Sequence, residues 1–520
     1  MKRLFSCLLI IIGLVAGNHV CQEQPVAAAT RPAVLLVYDS QHSETAQDQP
    51  VADMTRLLLG LGQSVTQVAL SQYHAGELNR KYTAVMRMVN WQASPQNSAA
   101  FDHDWAQFTG KKIHIGARLP QDFIRTFGAG EQVTHLQLQL QDETTNVRQL
   151  LPFTATTWTL YPAVADAVGR LQVQGTSQTY GYGLMTEDKA YLPFFDQNGL
   201  TGLLAQRLLA RFLTGQAQKL APALLITGVT PTTSPKQLRQ VTTFLRQQGI
   251  SFALSATLTA KHVRLPEHAA YLAALANSMQ AGGQLIWQWP QLSQTIPADA
   301  KAVQRLYLAQ VKQAIQNGLY PSGISGDIRT ALTPKLQALY RQTNTQWLLP
   351  SMPTADASAH TVPQTANTTE RAFWVMPLRR WQTIEGANDS GITSAAPLAL
   401  QMALPTTAKA LAQFKQDLRA YHGTWFDFSS DAFTNRLVAG NVTVTSQFGQ
   451  YWRNGKPVTV ASGDNPHQKR PQAKRISTRL NGFFNWQERF LLIFMLIMLV
   501  ILAVLLRKAV SFIAINFDVR

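Results

Sequence analysis

The chain has 520 residues, 46% of them hydrophobic and 14% charged, with 46 Lys and Arg against 29 Asp and Glu for a formal net charge of +17. Its two cysteines, Cys7 and Cys21, both fall in an amino-terminal leader, which excludes a disulfide framework or a cysteine metal site in the remainder. The charge excess is diffuse: nine basic residues from Lys469 onward, against Glu488 and Asp518, supply +7, and no basic patch is interleaved with aromatics, so no nucleic-acid partner is expected.

Met1-Lys2-Arg3, an apolar stretch from Leu4 to Gly17, and Ala27-Ala28-Ala29 predict a signal peptide over 1–29, with cleavage before Thr30. Cys21 follows Asn18, His19 and Val20, without the small preceding residue that lipidation requires.

The first domain, expected over 30–218, opens with Ala33–Tyr38, an unbroken apolar run of the kind buried on both faces of a parallel sheet. Val51, Met54, Leu58 and Leu61 then mark a helical stripe, and Ser64–Leu70, Tyr82–Val89 and Lys112–Ala117 read as further strands. Thr134–Leu140 and Tyr180–Phe195 alternate as antiparallel strands do, and Gly199–Leu213 is an amphipathic helix that closes the unit. The alternation predicts an α/β layer, flavodoxin-like or amidotransferase-like. The loop Asp39–Gln49 sits where a ligand site is possible but has no glycine to wrap a phosphate, so a solvated loop on a scaffold is expected.

A second domain is expected over 219–460. Ala223–Val229 is another buried strand, and Ser234, Pro235 and Gln237 mark the start of a helix with Leu238, Val241 and Leu245 inward. Strand Ile250–Leu258, helix Glu267–Met279, strand Gln284–Trp289, helix Ala298–Asn317, strand Gly323–Ile328, helix Pro334–Thr343 and strand Trp347–Pro350 follow. Repeated strand-helix units predict a (β/α) barrel or part of one.

The order of these pieces over Ala223–Val438 resembles the polysaccharide deacetylase superfamily, in particular its membrane-anchored YdaL-like branch associated with exopolysaccharide operons. The resemblance implies an acidic pair after the first strand, two histidine ligands four residues apart after a Gly-Gly strand, and further histidines on two later strands. Here Thr227 and Gly228 replace the acidic pair, and Gly282–Leu292 and Gly323–Arg329 carry no histidine. Tyr421–Phe428, with His422, is the nearest equivalent of the last landmark. Threonine, glycine, glutamine and tryptophan do not assemble a hydrolytic metal centre, so neither metal nor cofactor is expected. His262 and His268 read as surface or satisfied core histidines.

Two chemistries remain. Asp327, Asp427 and His422 fall on segments expected at the barrel mouth, where two carboxylates can serve glycosidic hydrolysis; alternatively Asp327 and Asp427 cap turns. Trp287, Gln288, Trp289 and Trp425, with Trp374 and Trp381 elsewhere, form either an aromatic carbohydrate-binding groove or a Trp-rich core.

Residues 461–489 form a basic stalk with Lys469, Arg470, Lys474, Arg475 and Arg479. The apolar run Phe490–Leu506, about 26 Å as a helix, predicts a transmembrane segment over 490–508 and a cytoplasmic tail over 509–520, with Arg507 and Lys508 inside. The expectation is a single-pass cell-membrane protein, mostly extracellular. As a pseudo-deacetylase it would assist synthesis, export or binding of a surface polysaccharide, beside a membrane glycosyltransferase. An active polysaccharide-modifying hydrolase, either a deacetylase with relocated ligands or a metal-free glycosidase using Asp327 and Asp427, and a purely structural partner of such a synthase stand as alternatives.

Overall fold

The structure is a computed structural model that describes residues 33–41, 50–78, 82–91, 98–153, 156–164, 166–258, 266–288, 300–326, 347–348, 364–366, 372–387, 392–430 and 433–461. The first half contains strands β1 (Ala33–Tyr38), β2 (Ser64–Ala69), β3 (Ala84–Val89) and β4 (Lys111–Gly116), with helices α1 (Pro50–Gly60), α2 (Ala99–Gln107) and α3 (Gln121–Phe127) between and after them. Strands β5 (Glu131–Val133), β6 (Leu138–Asp142), β7 (Val147–Leu150), β8 (Trp158–Pro162), β9 (Val168–Val173), β10 (Thr179–Met185) and β11 (Lys189–Leu192) lead to helix α4 (Leu200–Thr214).

The order β2-β1-β3-β4-β11 is parallel throughout, and the winding reverses between β1 and β3. β11 turns antiparallel into β10, and β9, β6 and β7 extend the sheet in the same sense. Period-two alternation explains why β1 is apolar at every position. Val34, Leu36 and Tyr38 face the core of α1 and α4, while Leu35 and Val37 meet Phe101 and Trp105 of α2 and Phe123 of α3.

The second half begins with β12 (Ala223–Val229), α5 (Pro235–Gln247), β13 (Phe252–Ala256), α6 (Pro266–Gln280), β14 (Gly283–Gln288), α7 (Ala300–Gln316), β15 (Gly323–Ser325) and β16 (Trp347–Leu348). Then come β17 (Gln364–Ala366), β18 (Ala372–Pro377), the single-turn α8 (Leu378–Trp381), β19 (Leu398–Ala403) and α9 (Ala408–Arg419). Seven parallel strands, β12-β13-β14-β15-β16-β18-β19, curl into a ring in which β19 pairs back onto β12. β17 leaves the ring and adds antiparallel to β2, so the second half supplies an edge strand of the first sheet. At the start of α5, Ser234 caps the helix, but the Gln237 amide donates to the Thr406 carbonyl instead of closing a capping box.

The two halves share one core. Among the described residues between β18 and β19 the one helix is α8, and the outer face of β18 is covered by α1 and α4 of the first half. Trp374 of β18 lies against Gly202 of α4 and donates its indole N–H to Gln197 Oε1 at 3.1 Å. Gln206 of α4 accepts from the Ser394 hydroxyl and from Ala396 N–H at 3.3 Å, and Arg148 and Glu385 exchange backbone hydrogen bonds at 3.2 and 2.7 Å. These contacts bury α4 on nearly every face, although its sequence reads as amphipathic.

A four-stranded antiparallel meander follows, β20 (Asn435–Ala439), β21 (Val442–Gln447), β22 (Gln450–Arg453) and β23 (Lys456–Val458). The sequence reading had extended the barrel through this region. Asn454-Gly455, both at positive φ, forms the turn between β22 and β23 and is the sequence signal that finds it. The meander docks on the ring where Ser446 and Tyr451 hydroxyls donate to Gln284 Oε1 at 3.3 and 3.0 Å. No helix among the described residues is long and apolar enough to cross a membrane. The expected signal peptide, the Phe490–Leu506 run, most of the stalk and the helix Pro334–Thr343 lie outside the described residues.

Candidate functional site

Alternation along the ring strands sorts side chains inward and outward. Ala223, Leu225, Ala253, Ile286, Phe373, Val375 and Ala399 point into the ring, closed at its amino end by Phe426, Phe428 and Phe433. Toward the carboxyl end the same inward positions become polar. Ser255 and Ser325 hydroxyls bond to each other, fully buried, and above them stand Thr227, Thr257, Gln288 and Gln401.

This upper layer is knitted in two pairs. Gln401 Nε2 donates to Thr227 Oγ1 at 3.2 Å, and Thr257 Oγ1 donates to Gln288 Oε1 at 3.1 Å. Each pair uses only part of the hydrogen-bonding capacity of its amide and hydroxyl groups, and all four residues are partly exposed. The six side chains are uncharged at any ordinary pH, so this layer of described residues offers neutral hydrogen-bonding groups only.

The divalent metal implied by the resemblance does not fit these donors. Hydroxyl and amide groups stand where imidazole and carboxylate are needed. Gly228 has φ +76°, in the left-handed region that favours glycine. Among the described residues no three His, Cys, Asp or Glu side chains gather as a metal site.

The sequence-derived candidates separate. Gln288 is at the mouth. Trp287 points the other way, 0% exposed, with its indole donating to Gln310 Oε1 at 3.0 Å and packed edge-on against Tyr307 of α7 at 5.0 Å. It is a core tryptophan, because neighbouring strand residues face opposite sides and α7 covers the outside. Trp374 and Trp381 are likewise buried. Trp425 is half-buried against Tyr421, with ring centres 4.3 Å apart.

The stretch after Trp425 lies at the opposite end of the ring from Gln288. Phe426 N–H donates to the Pro222 carbonyl at 2.8 Å and Phe428 N–H to Ser251 Oγ at 3.0 Å, and both acceptors precede ring strands. Asp427 is therefore not at the mouth; its carboxylate accepts from Ser429 N–H and Oγ at 2.8 and 2.7 Å, capping its own turn. His422, exposed, belongs to the chain leading into this plug. The aromatic run Trp425–Phe428 ends up under the barrel because its phenylalanines fill the base. Trp289 and Asp327 lie outside the described residues.

A second polar cluster lies where the first sheet reverses its winding. Ser40, Asn90 and Trp91 N–H groups donate to the Asp39 carboxylate at 2.7, 2.7 and 3.0 Å, tying the loops after β1 and β3 together. Burial pushes the Asp39 carboxyl up against the pull of those donors, and burial likewise pulls the nearby Arg87 guanidinium down. The crevice between Asp39, Arg87 and Arg118 has a volume of only about 10 Å³, room for one water, so its described part is a lock between loops.

No protein-family model matches the sequence, and no curated protein matches it. Among solved structures, the chain is similar to the β-galactosidase of the psychrophilic Marinomonas ef1, with 12% identity and a TM-score of 0.23. That match covers 41% of this chain and 33% of the β-galactosidase, and at this level it supports neither a fold nor an activity.

Proposed function

We propose that the protein is a membrane-anchored extracellular pseudo-deacetylase that holds a surface polysaccharide at the mouth of its barrel without cleaving it. The single observation that supports this reading is the neutral polar layer of Thr227, Thr257, Gln288 and Gln401 at the carboxyl end of the ring, where the resemblance implies metal ligands. Amides and hydroxyls match sugar hydroxyls as donors and acceptors, and with no imidazole or carboxylate among these four residues they supply neither a general acid nor a base to activate a hydroxyl. In this reading the ring is a degenerate polysaccharide deacetylase-like barrel, the first sheet a flavodoxin-like layer, and residues 490–508 a transmembrane helix beside a membrane glycosyltransferase. The alternative of a metal-free glycosidase loses one of its two carboxylates, since Asp427 lies below the ring.

The test is titration of the full-length protein in detergent with oligosaccharides released from the host's own surface polymer. Gln288→Ala and Gln401→Ala should each weaken binding about tenfold while leaving the thermal midpoint in place. Acetate release from an acetylated glycan, or stoichiometric zinc on the purified protein, would overturn the reading.

A further inference from the structure

Helices α5 and α9 follow neighbouring ring strands and lie side by side on the outside of the barrel, where a groove of about 520 Å³ runs between them. Lys236, Arg239, Gln240, Thr243 and Gln247 face it from α5, at spacings of three and four residues that keep them on one side of the helix. Phe244 forms its floor, 5% exposed, and Lys415 and Arg419 of α9 lie over the Phe244 ring at 5.4 and 5.5 Å.

The charge of this groove is of one sign. Helix α5 has no acidic residue at all, and the one acid of α9, Asp417, is buried, bonded to Gln413 and turned toward Arg379. Among the described residues no carboxylate lies within 4.0 Å of Lys236, Arg239, Lys415 or Arg419. Four cations held together with no counter-charge among the described residues create a field that an anion relieves, and the aromatic floor fixes two of them in place.

We infer that this groove is a binding track for an acidic polysaccharide, a chain bearing carboxylate or phosphate groups on its sugars. The span from Lys236 to Gln247 is about 16 Å along the helix, longer than a single small anion needs. Gln240, Thr243 and Gln247 alternate with the cations and offer hydrogen bonds to sugar hydroxyls between the charges. A membrane surface is the poorer partner. The site is concave, and none of the large exposed apolar side chains, Trp91, Leu150, Phe153, Val164 and Phe448, lies on it to enter a bilayer. The track is separate from the mouth and stands even if the mouth binds nothing.

The experiment measures binding of the full-length protein in detergent to polygalacturonate, with neutral dextran and phosphatidylglycerol vesicles as comparisons. Polygalacturonate should bind with an affinity that falls as salt rises, and dextran should not compete. Replacing Lys236, Arg239, Lys415 and Arg419 together by Gln should weaken polygalacturonate binding about 30-fold or more. Removing the same charge elsewhere, by Lys219→Gln, Arg305→Gln, Arg453→Gln and Lys456→Gln, should change it less than about threefold. Should the fourfold groove variant fold poorly, Lys236→Gln with Arg239→Gln, both exposed on α5, should still cost about fivefold. Equal losses in the groove and control variants, no polygalacturonate binding by the wild type, or a groove variant that loses vesicle binding alone would overturn the inference.

Discussion

Trp287 donates its indole N–H to Gln310 Oε1 at 3.0 Å, so the side chain that looked most like a sugar platform is fastened inside the helix layer. Trp287→Ala should destabilise the protein by about 3–5 kcal/mol through the cavity it leaves. Trp287→Phe fills most of that space but strands Gln310, and about 1–3 kcal/mol is expected. Denaturant unfolding checks both. Glycan binding per folded molecule should be unchanged in either variant.

Asp142 of β6 and Arg207 of α4 form a two-pronged pair at 2.7 and 2.8 Å, with Asp142 1% exposed. Burial pushes the Asp142 carboxyl up, but the Arg207 hydrogen bonds and charge, with the Thr145 and Thr144 hydroxyls, outweigh it and bring it down to about 2. A carboxyl lowered in the folded state adds stability that is complete above its unfolded value near 4 and is lost as pH falls toward 2. Asp142→Ala should therefore cost about 3–5 kcal/mol at pH 7, and its penalty should shrink in acid unfolding titrations.

His114 of β4 is fully buried, with Nε2 donating to the Ala117 carbonyl at 2.8 Å and Nδ1 without a partner among the described residues. Burial, reinforced by the charge of Arg87, lowers its imidazole to about 3. The unfolded chain takes up this proton near pH 6.5 and the folded protein does not, so stability should decline as pH falls from 6.5 toward 3. His114→Phe should flatten the thermal midpoint against pH between 6.5 and 4. An unchanged slope would assign the dependence to other groups.

A Cβ at Gly202 would sit 2.4 Å from the Trp374 ring and 2.6 Å from the Gln197 carbonyl oxygen. The backbone acceptor has little freedom to yield. Gly202→Ala should cost about 1–3 kcal/mol by denaturant unfolding, as overpacking does, and should loosen both halves at once.

Strong periodic signals were legible in the sequence. Ala33–Tyr38 and the first four residues of β12, Ala223–Ile226, are uniformly apolar and lie in central parallel strands, and Gly249 and Gly282-Gly283 end helices where expected. Strands β7 to β9 were missed because Pro152 and Pro162 interrupt the alternation, and the final meander because its short strands were absorbed into the barrel. At the site, parity puts Gln288 and Trp287 on opposite faces of the strand, but which of the two faces inward depends on α7, a partner that strand periodicity does not reveal. The polar residues Thr257, Ser255, Ser325 and Gln401 went unnoticed. Scattered neutral residues on three separate strands become a set only through the register of the ring. Asp427 was misplaced because chain order does not tell which end of a barrel a returning segment crosses.

Helix α4, walled by the first sheet on one flank and by Trp374 on the other, removes any hinge at residues 215–222. Calorimetry should record one heat-absorption peak, and a fragment beginning at Ala223 should be insoluble for want of its missing wall. The mouth of the ring is thereby held at a fixed angle to the first sheet, as a bracket holds a shelf.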